Sequence, residues 1–286
     1  MSGVGSVANR ISECCSVLYD SQLYSSESKI DSIIQIHIDS YTALLKCFSD
    51  AVANYEATSE KDNNDRHDCI GSILPILIAD LSLIDEFQFV SQSQLQTALQ
   101  SPIDQLLICA MDVLSWICNG DVVYPLRNSN LNDSFKANCT EGQIQTLSLK
   151  IMKCISVGSL GVKLSALFLL VEQHFPLLYI SVVDTLMSVL SEMVTAKNPD
   201  IIRKNALKCM GRICKQIRSD ESDKLIIQPS LDLPPQLMSN IYSCLTSSTQ
   251  VISGLCVHEV LPHLDVFKSI DQIVVENTQQ LTIYLQ

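Results

Sequence analysis

The segment from Phe175 to Arg218 places the strongest constraint on the fold, because its apolar residues recur at the spacing of two amphipathic helices joined by a turn. On one side of the second helix, plotted at 100° per residue, lie Ile202, Ala206, Cys209, Met210, Ile213 and Ile217. On the opposite side lie Lys204, Lys208, Arg212, Lys215 and Arg218. Asn198 is a cap-type residue, and Pro199 lacks an N–H group where a first helical turn needs none. The segment therefore predicts a helical hairpin whose second helix begins at these two residues.

A short pattern recurs in three of the expected helices. An apolar residue is followed four positions later by Ala, then directly by Leu or Met, and after two further residues by Leu or Met again. The alanines of the three copies are Ala110, Ala166 and Ala206. Ala166 and Ala206 lie 40 residues apart, a period typical of stacked helical repeats. Because a small side chain lets two helices approach closely, we expect these alanines at helix–helix contacts.

These features resemble HEAT repeats, the helical hairpins that stack into α-solenoids. The order Asp200, Ile202-Arg203, Ala206-Leu207 and Met210-Gly211 is similar to the Asp, Val-Arg pair, Ala-Leu pair and small residue of that family. Apolar-Pro pairs similar to those in the family's first helix are Leu74-Pro75, Phe175-Pro176 and Leu261-Pro262. The resemblance implies an all-α fold of HEAT or armadillo type. It also implies that Arg203 and the three alanines make contacts between neighbouring repeats.

The pattern predicts three parts along the chain, which we expect to form one continuous solenoid. Residues 1–118 are acidic helical repeats, residues 119–142 form a long loop, and residues 143–286 are HEAT-like repeats. The loop is either a mobile insertion or an element that contacts a partner. Apolar residues make up 47% of the sequence and charged residues 17%, so most of the chain should be packed.

The charge is unevenly distributed. The formal net charge is −12, and residues 1–100 hold 14 acidic and 5 basic residues, whereas residues 197–286 hold 9 of each. An acidic N-terminal part disfavours binding of nucleic acid or an anionic membrane surface there. The sequence also contains no apolar run long enough for a membrane span.

The cysteines are expected to be reduced. The chain has 12 cysteines, but its first residues contain no apolar signal core. Several cysteines, including Cys109, Cys154 and Cys209, fall on apolar helix faces, where a free thiol behaves as a small hydrophobic group. An intracellular protein of the cytoplasm or nucleus fits this pattern best.

No catalytic constellation is found in the sequence. Phosphate-binding glycine loops, Gly-x-Ser-x-Gly elbows and His-Glu-x-x-His motifs do not occur. The best metal candidate is Cys256-x-His258-x4-His263 with Cys244 upstream, but a structural zinc site needs four ligands in recognised pairs. We therefore expect neither enzymatic activity nor a metal or cofactor.

The basic residues of the second helix are the clearest candidate for a function. Lys204, Lys208, Arg212, Lys215 and Arg218 are predicted to bind a protein partner with an acidic surface. Like charges one turn apart destabilise a helix, so a run of them without acidic residues favours binding over a plain solvated face. Three alternatives stay open: these residues contact the chain's own acidic N-terminal half, the protein is a subunit of a chromosome-maintenance complex that contacts phosphate through them, or it is an unrecognised enzyme.

Overall fold

The computed structural model of the chain describes residues 10, 13–18, 30–53, 73–85, 101–118, 140–172, 182–219, 236–247 and 249–266. Within these ranges every regular element is helical and no strand occurs, which confirms the all-α prediction for them. The helices are α1 (residues 13–18), α2 (Ile30–Ala53), α3 (residues 73–82), α4 (Pro102–Cys118), α5 (Glu141–Val157), α6 (Leu160–Glu172), α7 (Val183–Met193), α8 (Asp200–Ser219), α9 (Leu237–Leu245) and α10 (Gln250–Leu255). Helix α10 continues into a π-helical segment, Cys256–Val260, and a 3-10 segment, Leu261–Val266. None of the helices described is both long and apolar enough to cross a membrane.

The chain divides into two compact units, Met1–Leu178 and Tyr179–Gln286. The predicted loop 119–142 falls in the first unit, and its residues 119–139 lie outside the described ranges. Its last two residues are helical, because Thr140 and Gln143 form a capping box in which the Gln143 side chain accepts from the Thr140 backbone N–H at 2.9 Å. Helix α5 therefore begins at Glu141, which corrects the predicted end of the loop.

In the first unit, helix α4 packs between α2 and α6. Trp116 of α4 stacks on Phe48 of α2, with ring centroids 5.9 Å apart. Helices α5 and α6 form a hairpin through a turn at Gly158, where a Cβ atom would lie 2.5 Å from the carbonyl oxygen of Cys154. This turn therefore requires glycine.

In the second unit, helix α8 is the central element. It packs against α7, α10, the π-helical segment and the 3-10 segment. Helix α9 packs against α7, α10 and the π-helical segment. The hairpin predicted from the sequence is thus present as α7 and α8, while residues 175–181 of its first helix lie outside the described ranges.

The start of α8 differs in detail from the prediction. The backbone N–H groups of Ile202 and Arg203 donate to the Pro199 carbonyl oxygen at 2.9 and 3.1 Å, so Pro199 occupies the cap position. Asn198 instead donates its side-chain amide to the Glu192 carbonyl oxygen at 3.0 Å. The prediction that Asn198 caps α8 is wrong, because the last carbonyl groups of α7 lack intrahelical donors and Asn198 satisfies one of them.

Two of the three apolar-Pro pairs lie in described residues. Helix α3 continues through Pro75, which is exposed near the start of its described part. Leu261-Pro262 opens the 3-10 segment, where the chain leaves the π-helical hydrogen-bonding pattern. The third pair, Phe175-Pro176, lies outside the described ranges. In both described cases the proline sits in helical backbone, and at Pro262 it coincides with a change of helix type.

Candidate interaction surface

Helix α8 is buried around most of its circumference. The buried residues are Ile202, Arg203, Asn205, Ala206, Leu207, Cys209, Met210, Gly211, Ile213 and Cys214. At 100° per residue these positions cover about 240° of the helix surface. Only an arc of about 120° stays open to solvent between residues 201 and 215.

The open arc is basic. It holds Lys204, Lys208, Arg212 and Lys215, here called the basic strip, together with Ile201. Lys215 is exposed and the other three basic side chains are half-buried, as expected when an aliphatic stem packs on the protein and the charged end reaches water. Arg218, the fifth predicted residue, lies on α8, but its side chain is outside the described residues. The basic strip therefore supplies every charge on the solvent-facing side of α8 between residues 201 and 215.

The described acidic residue on α8 is engaged away from the basic strip. Asp200 accepts hydrogen bonds from Arg203 Nη1 and from Thr249 Oγ1, each at 3.0 Å. Within the described part of the chain, the three lysines of the strip form no ion pair. Lys204 and Lys208, one turn apart, repel each other, and no described ion pair of either lysine offsets this repulsion. An acidic ligand placed along the strip would relieve it.

Arg203 is a buried structural residue that does not belong to the strip. The residue is 5% exposed, and Nε donates to the Val194 carbonyl oxygen at 3.1 Å. Nη2 lies 3.8 Å from the sulfur of Cys244 on α9, and Cys244 in turn donates to Val194 at 3.4 Å. Arg203 thus joins the end of α7, the start of α8 and α9. The structural role expected for Arg203 is performed inside this unit, and a contact between neighbouring repeats stays a prediction.

A second polar contact holds α9 against α7. Asn240 donates its side-chain amide to the carbonyl oxygen of Ser191 at 2.8 Å and to its hydroxyl at 3.1 Å. Both residues lie near the α7–α8 turn, as do the groups bound by Arg203. The N-terminal end of the basic strip is therefore held by hydrogen bonds from two neighbouring helices.

Gly211 lets the π-helical segment approach α8 closely. A Cβ atom at this position would lie 2.2 Å from the carbonyl oxygen of Glu259, a backbone atom that cannot rotate away. The small residue noted in the sequence at Met210-Gly211 thus has a packing reason. Because this contact covers the side of α8 next to the basic strip, it helps to fix the edge of the open arc.

The three alanines of the recurring pattern are fully buried. Ala110 lies on α4, Ala166 on α6 and Ala206 on α8, each with 0% exposure. Helices α4 and α6 pack directly on each other, as small residues on their faces would allow. The assignment of these alanines to contacts between repeats stays a prediction.

The first unit contains a buried polar cluster that was not predicted from the sequence. Asp80 on α3 accepts from the hydroxyl of Tyr41 at 2.6 Å and from Nδ1 of His37 at 2.9 Å, and both donors lie on α2. Exposure is 6% for Asp80, 0% for Tyr41 and 3% for His37. Burial, together with the neighbouring carboxylate, raises the pKa of Tyr41 well above its ordinary value. The signal was present in the sequence, because His37 and Asp80 each occupy the apolar face of a helix.

This cluster has the residue types of an acid–base site but not the setting of one. All three side chains are shielded from solvent, and a general base must reach the proton of a bound substrate. What the geometry supplies is a pair of hydrogen bonds that fixes α3 on α2. Its chemistry is that of a satisfied buried network.

The cysteine and histidine residues considered as metal ligands are not arranged as a metal centre. Cys244 and Cys256 are buried, whereas His258 is exposed. Burial, and secondarily the nearby Cys244, raises the pKa of Cys256 to about 12. Within the described residues no three metal-ligating side chains form a group that would hold an ion. The nine cysteines whose side chains the structure describes are not joined in disulfides.

The likeness of α8 to a HEAT helix rests on its sequence. The features that carry it are the Asp200 to Gly211 order and the 40-residue spacing of Ala166 and Ala206. The packing within each unit does not test the family assignment, which therefore stays a prediction. No family model matches the chain, and no curated protein or solved structure matches it either.

Proposed function

We propose that this protein is a non-enzymatic interaction scaffold, or a subunit of a larger complex, that binds an acidic protein partner through the basic strip of α8. Its helical hairpins stack in the manner of HEAT or armadillo repeats, and it works in the cytoplasm or nucleus. The partner's carboxylates pair with the exposed ends of Lys204, Lys208, Arg212 and Lys215. Arg203 and the buried alanines support this surface from within.

One observation carries the proposal: the only open side of α8 between residues 201 and 215 is occupied by four basic side chains and one apolar side chain. A plain solvated helix face usually mixes charges of both signs, because Glu–Lys pairs one turn apart stabilise the helix. In a chain with a net charge of −12, a concentration of positive charge on one held helix favours a specific electrostatic contact.

The packing of the first unit supports the scaffold architecture. Helices α2, α4 and α6 follow one another in a row, and α5 pairs with α6 as a hairpin. Asp85, the last residue of the 3-10 turn that follows α3, accepts from Lys150 and Lys153 of α5 at 2.5 and 2.7 Å. The described helices of this unit thus contact helices that are close in the chain, which fits stacked hairpins.

The test compares two variants with equal changes in net charge. Lys208→Glu with Lys215→Glu alters the basic strip, and Lys46→Glu with Lys197→Glu alters two exposed lysines elsewhere. Proteins that co-purify with each variant are identified by mass spectrometry at low and at moderate salt, after nuclease treatment. Circular dichroism checks that both variants keep the helix content of the wild type.

We expect the strip variant to lose partners that the wild type and the control variant retain, and we expect those partners to dissociate from the wild type as salt rises. If the strip variant retains every partner, the basic strip is a solvated face and the proposal is wrong. Loss of all binding after nuclease treatment, with steep salt dependence of DNA retention, would favour a nucleic-acid contact instead.

A further inference from the structure

The basic strip contains one large apolar side chain at its N-terminal end. Ile201 is 44% exposed, and at 100° per residue it falls within the same arc as the four basic residues. It precedes Lys204 by about 4.5 Å along the helix axis and Lys215 by about 21 Å. From its N-terminus, the open side of α8 therefore presents an apolar residue followed by positively charged residues.

A second exposed apolar residue lies on α10, whose start meets the start of α8. Thr249 donates to Asp200, which places the start of α10 beside the start of α8. Val251, two residues after Thr249, is 55% exposed. Asp200 already provides a carboxylate at the positive end of the helix dipole. An acidic residue of a ligand is therefore not needed at this end. This end fits an aliphatic side chain instead.

We infer that the segment bound by the basic strip is an acidic peptide with a large aliphatic residue at one end. The aliphatic residue contacts Ile201, and the following carboxylates pair with Lys204, Lys208, Arg212 and Lys215. The strip is about 16 Å long from Lys204 to Lys215, which an extended peptide covers with about five residues. This inference rests on the proposed function of the basic strip and specifies its ligand.

The same geometry disfavours nucleic acid as the ligand. Binding of single strands combines a basic groove with aromatic side chains on which bases stack. The α8 sequence contains no aromatic residue, and the open arc offers an aliphatic side chain at one end only. A phosphate backbone gains little affinity from contact with an aliphatic side chain. An acidic peptide gains affinity from this contact only if it carries an apolar residue there.

The experiment uses labelled peptides and the full chain, with binding measured by fluorescence anisotropy. Each peptide contains one leucine and about five glutamates, the number set by the length of the strip. Two peptides carry the leucine at either terminus, which covers both directions of binding, and a third of equal composition carries it at the centre. A single-stranded DNA of similar charge is the fourth ligand. The variants are Ile201→Ser and, as a control of similar exposure (47%) on α5, Leu149→Ser.

We expect one end-leucine peptide to bind the wild type about tenfold more tightly than the centre-leucine peptide, because only the former buries its leucine against Ile201. Ile201→Ser should reduce this preference to about twofold or less, and Leu149→Ser should leave it unchanged. The binding of all peptides should weaken as the salt concentration rises.

The possible failures are distinguishable. Equal, salt-sensitive binding of all three peptides overturns the inference about the aliphatic residue and leaves the proposed function standing. Tighter binding of the DNA than of any peptide overturns both. If no acidic peptide binds in a salt-sensitive manner, the proposed function fails, and the inference fails with it.

Discussion

The buried cluster of His37, Tyr41 and Asp80 predicts a large loss of stability when its acceptor alone is removed. Asp80→Leu keeps a branched side chain of similar size but leaves the Tyr41 hydroxyl and the His37 Nδ1–H without their acceptor. Each unsatisfied buried donor costs about 1–3 kcal/mol. Since all three residues are at most 6% exposed, water cannot replace the lost acceptor. We expect Asp80→Leu, which leaves two such donors, to lower the free energy of unfolding by about 2–6 kcal/mol.

The matched control removes the donors as well. A triple variant with Asp80→Leu, His37→Leu and Tyr41→Phe has the same residue at position 80 but also removes the two donors that Asp80 satisfies. Replacing all partners of a buried network by apolar groups is often close to neutral. We expect the triple variant to lie within about 1–2 kcal/mol of the wild type, and therefore to be more stable than the single variant.

The chain contains a suitable probe for this measurement. Its one tryptophan is Trp116, which stacks on Phe48 in the same unit as the cluster. Urea unfolding followed by tryptophan fluorescence therefore reports on the first unit. If the triple variant is no more stable than Asp80→Leu, the loss comes from packing and not from unsatisfied donors, and the reasoning is refuted.

Three further predictions concern other parts of the fold. Arg203→Met keeps most of the buried stem but loses the bond to Val194, so it should lower the free energy of unfolding by about 1.5–3 kcal/mol in urea titrations followed by circular dichroism. Gly211→Ala should lower the melting temperature, because the added Cβ would lie 2.2 Å from the Glu259 carbonyl oxygen. The control Gly254→Ala, whose Cβ would have nothing within 4 Å, should leave the melting temperature unchanged or raise it. A lower melting temperature for Gly254→Ala than for Gly211→Ala would contradict the packing. Burial raises the pKa of Cys154 and Cys256 from 9.0 to about 12, so their stabilising contribution is complete below pH 9 and is lost progressively between about pH 9 and 12. Unfolding free energies that are constant over this pH range would contradict that shift.

The helices themselves were largely predictable because their apolar spacing reports a local property. On α2, Ile34, Ile38, Tyr41, Leu44 and Phe48 recur at helical spacing and are buried, whereas Ile33 and Leu45 on the same side are half-buried. The apolar face of α8 is likewise buried from Ile202 to Ile213. A period of 3.6 residues requires one side of a helix to be covered, whatever covers it. The sequence therefore indicated which faces are buried before any tertiary contact was known.

The partners of those faces were not predictable by this reasoning. His37 and Asp80 lie 43 residues apart, and nothing in the spacing of either helix indicates that they meet. Arg203 is similar: its position on α8 suggested a structural role, but its contact with Val194 depends on the angle of the α7–α8 turn. At that turn a local rule also failed, because Asn198 has two helix ends within reach and bonds to the end of α7. Cap preferences state which residue types bond to free backbone groups, and tertiary geometry decides which groups those are.

The burial of α8 bears directly on how the basic strip would bind. Helices on several sides hold α8, and the Arg203 and Gly211 contacts fix its start and one edge. The bases of the charged side chains therefore stand at fixed intervals of about 4.5–6 Å along one side of the helix. A ligand then needs to order only the outer ends of these side chains, which lowers the entropy lost on binding. A mobile loop with the same charges would attract an acidic partner without selecting the spacing of its carboxylates, whereas the held helix can discriminate between acidic sequences. For this reason the order of residues in the ligand, and not its charge alone, should determine its affinity for the strip.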